Sequence, residues 1–231
     1  WRIISPHGAG ARMTIEAILR LALAEPNRPA LATSGERVTY GQLGSAAAFL
    51  ADRLRHQNLT PGQVVALSLP NGAAFAAALL AGLRAGLRVL LLDPHAPPAA
   101  QSDYGRRAGA ACVLIPEEER DRSIPGLPTL PIPSPTTLPN VTTATDVPDS
   151  AALLLMSSGT SGTPKIVLRT LAQADAAGQA FQATIPYAPD DRVLAMLPFF
   201  HSFGLLNVLL QSLSAGAELI VADFSPRPTA R

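Results

Sequence analysis

Residues Ser157 to Lys165 read SSGTSGTPK, hydroxyls and glycines closed by a proline and a lysine. The apolar AALLLM precedes them and the β-branched IVLR comes after, so the run is a polar loop between two buried-type segments. Backbone N–H groups at Gly159 and Gly162 can approach a ligand closely. The hydroxyls of Ser157, Ser158, Thr160, Ser161 and Thr163 add donors, and Lys165 adds a positive charge. That combination suits a phosphate group. The nucleotide loop of the form G-x-x-x-x-G-K-[ST] is not met: counted from Gly159, Pro164 stands at its second glycine and Ile166 at its magnesium-binding hydroxyl. A strand comes next rather than a helix, because KIVLR is β-branched and the next capping residue is Thr170. The loop therefore works without a helix dipole.

The other groups able to do chemistry are few. His201 lies in LPFFHSFGL among apolar neighbours, whereas His7, His56 and His95 fall in a tail, at a helix end and in a loop, where they are solvated. Asp190 and Asp191 sit at a turn, Asp93 ends a strand in LLLDP and caps the next element, and Arg106 and Arg107 read as a solvated helix end. A lone Cys112 inside ACVLI excludes an internal disulfide and a thiolate metal cluster, and reads as a small buried hydrophobe. No metal-ligand set is expected within this chain.

Strands and helices in alternation must position these groups. A helix is expected from Thr14 to Pro26, with Thr14 as its cap, then a hairpin around Gly35-Glu36 and a helix from Tyr40. VVALSL, RVLLLDP and ACVLIP read as buried strands, separated by helices over Ala73 to Arg84 and Ala99 to Ala108. Seven prolines and no helical period between Asp121 and Pro148 indicate a linker or an extended surface excursion. Beyond it come AALLLM, KIVLR, a helix from Thr170, RVLAML, a helix from about Ser202 and AELIVA. The fold class is α/β, with layered, parallel-rich sheets flanked by helices. The expected organisation is a tag or extension over 1–12, a first subdomain over 13–120, a linker over 121–150, and a second subdomain over 151–231 that carries the loop.

With 231 residues and 48% hydrophobic content the chain can bury a substantial core. A net charge of +1, from 18 basic and 17 acidic residues spread along the chain, provides no stripe for nucleic acid or anionic lipid. No apolar run reaches the roughly 18 residues of a membrane span. The amino terminus has no secretory pattern, so the cytoplasm is the expected location.

SSGTSGTPK closely resembles the phosphate-loop signature of the adenylate-forming enzymes, which include acyl- and aryl-CoA synthetases, luciferases and the adenylation domains of peptide synthetases. VTYGQL (Val38 to Leu43) looks like that family's early strand-to-helix motif, and LLAGLRAGLRVLLLDPHAPP (Leu79 to Pro98) is similar to its second. LPFFHSFGL (Leu197 to Leu205) resembles the segment that supplies a histidine to the acyl pocket. The likeness covers nearly the whole chain from Met13.

The resemblance implies a reaction in which a carboxylic acid attacks the α-phosphate of ATP, giving an acyl adenylate and pyrophosphate. A thiol, that of CoA or of an acyl carrier protein, then takes the acyl group. It implies that residues 157–163 surround the outer phosphates, that Lys165 steadies loop or phosphates, and that His201, with Phe200 and Gly204, walls the acid. Ser161 stands where the family often has Thr. Peptide-synthetase domains usually carry an Asp at the position of His201, so the imidazole favours a fatty or aryl acid over an amino acid. The family's adenine and Mg2+ segment, ribose Asp, hinge and distal catalytic Lys fall downstream of this sequence. The chain is thus expected to be an amino-terminal part, inactive alone or completed by a second chain. The alternative is a catalytically silent nucleotide- or acyl-binding module or scaffold. After AELIVA the second sheet is expected to lack further strands, leaving an unpaired edge prone to association.

Overall fold

The computed structural model of the chain describes residues 13–141, 145–157 and 164–222. Helix α1 (Met13–Ala24) stops just short of Pro26, which cannot donate to a continuing helix. Thr14 does not cap it: the Thr14 N–H donates instead to Asp175 Oδ1 at 3.3 Å, from a helix far along the chain. Strands β1 (Pro29–Ala32) and β2 (Arg37–Thr39) form the expected hairpin, its turn closed by Thr33 Oγ1 accepting from the N–H groups of Gly35 and Glu36. Helix α2 (Tyr40–His56) starts on a capping box, in which Thr39 Oγ1 accepts from Gln42 N–H and Gln42 Oε1 from Thr39 N–H.

Strand β3 (Val64–Leu67), helix α3 (Ala73–Arg84), strand β4 (Arg88–Leu91), helix α4 (Pro98–Ala108) and strand β5 (Ala110–Pro116) come next, in the expected order. Strand β6 (Thr129–Ile132) then arises inside the Pro-rich span and pairs parallel to β5. Strands β7 (Ala152–Ser157) and β8 (Lys165–Thr170) make an antiparallel hairpin, and α5 (Leu171–Gln182) begins on a second capping box from Thr170 and Gln173. Strand β9 (Arg192–Ala195) leads to a π-helix, Gly204–Leu210, that runs into the short α6 (Gln211–Ser214) and strand β10 (Glu218–Val221).

Two sheets result, with strand orders β6-β5-β3-β4-β7-β8 and β2-β1-β10-β9. All pairings are parallel except the two hairpins, β1 with β2 and β7 with β8. Strand alternation divides the large sheet's side chains. Val65, Leu67, Val89, Leu91 and Leu153 join the main core with α2 and α3, while Val64, Ala66, Leu90, Val113 and Leu154 form a second core toward Tyr104 and Ala108 of α4. Leu31, Leu219 and Val221 of the small sheet join the main core. Helix α3 is buried on every side, and its many alanines let neighbouring backbones approach closely while Phe75, Leu79, Leu80 and Leu83 supply the burial. Each such side chain contributes about 1.5–3 kcal/mol.

Two expectations are corrected. The Pro-rich span is not only a linker: β6 is a sheet edge, where Pro131 is tolerated because one side of an edge strand's backbone has no ladder partner. Ile124, Ile132 and Val147 from the span are buried. The sheets also do not follow a division near residue 145, since β7 and β8 extend the first sheet and β1 pairs with β10, Leu31 opposite Leu219. Strand β10 lies between β1 and β9, so among the described residues the small sheet ends in β2 on one side and β9 on the other, and the unpaired edge expected of this sheet is present. Leu194 in β9 is 57% exposed, followed by Met196 at 58%. Among the described residues no helix is long and apolar enough to cross a membrane.

Tyr40 ties the ends of the chain together. Its side chain is fully buried, and its hydroxyl lies 2.8 Å from Leu213 O and 2.9 Å from Ala217 O, donating to the pair. Arg28 adds bonds from Nε to Gly216 O at 2.7 Å and from Nη2 to Pro189 O at 2.8 Å. Burial pushes the Tyr40 hydroxyl far above the usual tyrosine range, so it stays protonated and donating. The substitution Tyr40→Phe leaves two buried carbonyls without this donor, and urea unfolding is expected to show a loss of about 1–3 kcal/mol. Because the unfolded phenol ionises first, the wild-type chain is expected to lose stability as pH rises past about 10, with that component absent in Tyr40→Phe.

Candidate active site

The β7–β8 hairpin brings the two ends of the glycine and hydroxyl loop together. Ser157 and Lys165 are cross-strand partners, and Ser157 Oγ donates to Lys165 O at 3.4 Å. Ser157 is half-buried and Lys165 exposed. Ser158, Gly159, Thr160, Ser161, Gly162 and Thr163 lie outside the described residues. Because β7 is parallel to β4 and β4 to β3, the loop leaves the sheet at the same carboxyl edge as the Ser68–Gly72 turn. In open parallel sheets this is the edge where ligands bind.

Arg107 is not a merely solvated helix end. Its Nη2 donates to Pro164 O at 2.9 Å, Nη1 reaches Asp103 Oδ2 at 3.4 Å, and the guanidinium lies 5.8 Å from the Tyr104 ring centre. Helix α4 thereby holds the carboxyl-terminal shoulder of the loop, one residue before Lys165. A second brace lies behind this rim. Arg122 Nη2 donates to Ser68 Oγ and Gln101 Oε1, and Gln101 Nε2 to the carbonyls of Asp93 and Ala96, with Ser68 and Gln101 fully buried. Asp93 Oδ1 accepts from His95 N–H, the turn-capping use expected of it.

Asn71 fastens the histidine segment to the same edge. Its Nδ2 donates to Leu197 O and its Oδ1 accepts from Phe199 N–H, both at 2.8 Å. Phe199 is completely buried, 5.5 Å from Phe75 between ring centres. Phe200 is half-buried and its ring lies 4.5 Å from that of His201, which is exposed. Gly204 is buried where a Cβ would drive into Pro198 O, so this position requires glycine for packing within the segment. Neither Asn71 nor Arg107 belongs to a motif legible in the sequence; a polar residue in the turn after β3 is the one signal for Asn71.

A pocket of about 220 Å3 opens between β8, α5 and the π-helix, lined by Arg169, Phe181, Ser202, Phe203, Leu206 and Asn207 among others. Phe181 and Phe203 meet edge to face, 5.8 Å between ring centres at 88°. The pocket thus begins immediately after His201, and β8 joins it to Lys165 at the loop. Cys112 offers no nucleophile, since burial pushes its thiol up to about 11. Among the described residues no cluster of His, Cys, Asp and Glu is assembled that could hold a metal ion.

The family profile described as AMP-binding enzyme matches residues 20–231. The sulfoacetate–CoA ligase of Cupriavidus necator is 31% identical over 229 residues, covering 90% of this chain and 45% of that protein. The salicyl-AMP ligase / salicyl-S-ArCP synthetase of Mycobacterium tuberculosis is 28% identical, covering 88% and 41%. The crystal structure of ATP-bound MatB from Rhodopseudomonas palustris superposes with a TM-score of 0.75 at 21% identity, over 90% of this chain and 45% of that one. The chain therefore spans less than half the length of these relatives, and the common fold is that of their corresponding part.

Gly204→Ala is expected to force apart the Pro198 carbonyl and the π-helix. Overpacking of this kind costs about 1–3 kcal/mol. The check is urea unfolding together with the near-ultraviolet circular dichroism of the packed phenylalanines.

Proposed function

Because the chain belongs to the AMP-binding enzyme family, we propose that it is the phosphate-holding, acid-facing part of an enzyme that activates a carboxylic acid with ATP. An acid carboxylate oxygen attacks the α-phosphorus, pyrophosphate leaves, and an acyl adenylate forms. A thiol of CoA or of an acyl carrier protein then attacks the acyl carbonyl, and AMP leaves. The observation that carries this reading is the closed base of the loop: Ser157 and Lys165 in register across β7–β8, with Pro164 held by Arg107.

The chemistry asked of these residues is electrostatic. Negative charge redistributes over phosphate oxygens during in-line displacement, and donors already fixed in place stabilise it without reorganisation. Residues 157–163 and Lys165 supply such donors to the outer phosphates. Mg2+ would neutralise phosphate charge, and its ligands belong mostly to parts of the enzyme outside this chain. His201 forms a wall or gate beside the acid carboxylate, with Phe200 against its ring. An imidazole at that place favours a fatty or aryl acid over an amino acid.

A second reading keeps the same site without turnover: a nucleotide- or acyl-binding module that needs a partner segment to complete it. The apolar β9 edge, with Leu194 57% exposed, favours this for the isolated chain.

Calorimetry is expected to show ATP binding to the wild-type chain and none to a variant carrying Gly159→Ala and Gly162→Ala. Arg107→Met is expected to weaken ATP binding by about two- to tenfold, the worth of one net hydrogen bond, in a variant that circular dichroism shows to be folded. Absence of ATP binding by the folded wild-type chain would remove the phosphate role of the loop in this chain. Acid-dependent exchange of pyrophosphate into ATP separates the two readings: the activating enzyme catalyses it and the silent module does not.

A further inference from the structure

The pocket beside His201 contains a positive charge that the apolar-acid reading does not use. Arg169 lies half-buried on β8 and lines the pocket together with Phe181, Phe203, Ser202 and Asn207. Several arginines have carboxylate partners, Arg28 with Glu25, Arg55 with Asp52, Arg107 with Asp103, Arg122 with Glu119 and Arg192 with Glu218, whereas Arg53, Arg88 and Arg106 have none among the described residues. Among the described residues Arg169 has no such partner, and no acidic side chain lines the pocket. A guanidinium on a pocket wall that also carries aromatic side chains is partly shielded from water, and an apolar tail packed over it would leave its donors unmatched.

The geometry also gives a direction. Alternation along β8 puts Lys165, Val167 and Arg169 on one face, with Lys165 and Arg169 about 13 Å apart along the strand. Lys165 marks the phosphate end and Arg169 the pocket end. The pocket volume of about 220 Å3 is below the range of roughly 300–1,000 Å3 occupied by drug-sized ligands, so it suits a short or single-ring acid. The π-helix that presents Asn207 and Leu206 here is a rare conformation that recurs at functional sites.

Resting on the acid-activation reading, we propose that the substrate is a short or single-ring carboxylic acid bearing a second anionic group, and that Arg169 binds that distal group. The reacting carboxylate points toward the phosphate loop, and the distal carboxylate or sulfonate pairs with the guanidinium. Asn207 and Ser202 offer further donors to it. Arg169 is thus a specificity-determining residue, and a long fatty acid is excluded as the preferred substrate.

Matched acids differing by one terminal anion test this: benzoate against 4-sulfobenzoate, and butyrate against glutarate. Each is titrated calorimetrically into the wild-type chain, Arg169→Met and Arg169→Lys, with circular dichroism confirming that each variant is folded. Pyrophosphate exchange is read with the same acids on the intact enzyme. The expected result is at least tenfold tighter binding of the dianionic member, lost in Arg169→Met and partly kept in Arg169→Lys, whose charge remains without the planar fork. Equal binding of both members in wild type and Arg169→Met overturns the assignment. If some acid then still drives exchange, acid activation stands and only the substrate class fails. If folded protein binds no acid and none drives exchange, the activation reading fails together with the assignment.

Discussion

The structure depends on the closure of the first strands onto the last. Strand β10 pairs on one side with β9 and on the other with β1, and Tyr40 seals the joint by donating into the turn between α6 and β10. That contact joins residues far apart in sequence, so the loop-closure entropy it must offset is large; burial of the aromatic ring and satisfaction of two carbonyls offset it together. Arg28 reinforces the joint from the next turn, and Asp175 of α5 receives the first turn of α1. The closure fixes the small sheet, and Asn71 ties the histidine segment that follows β9 to the large one.

From that frame the candidate site is assembled at one edge. Parallel pairing of β3, β4 and β7 sends their carboxyl ends to the same side, so Asn71, Asp93 and Ser157 emerge together although no motif links them. Asn71 then carries the constraint across to Leu197 and Phe199. Arg107 carries it to Pro164. The two ends of the glycine and hydroxyl run, Ser157 and Pro164, are positioned by a strand pair and by an arginine from another helix.

Local chemistry was readily legible. The starts of α2 and α5 follow from Thr39 with Gln42 and Thr170 with Gln173, α3 runs over the span that its apolar residues indicate, and the loop's place between two strands follows from β-branched KIVLR. The failures were non-local. β6 is only four residues long, with Leu130 and Ile132 on either side of Pro131, and becomes a strand because β5 offers an edge to pair with. The pairing of β10 with β1, the chain's own first strand, joins segments nearly 190 residues apart and has no local signature. Arg107 looked solvated because its acceptor, the carbonyl of Pro164, is remote in sequence and carries no side-chain signature.

The sequence by itself determined the α/β class, nearly every element and the family. These rest on periodicity, capping and short motifs, which act over one or two turns of chain. The tertiary structure alone decided how strands group into sheets, that Asn71 and Arg107 brace the site, and that Arg169 lines the pocket next to His201. Such relations depend on parallel crossovers and on side chains meeting backbone carbonyls dozens of residues away. No local pattern encodes them, because the energy that selects them comes from the whole buried core.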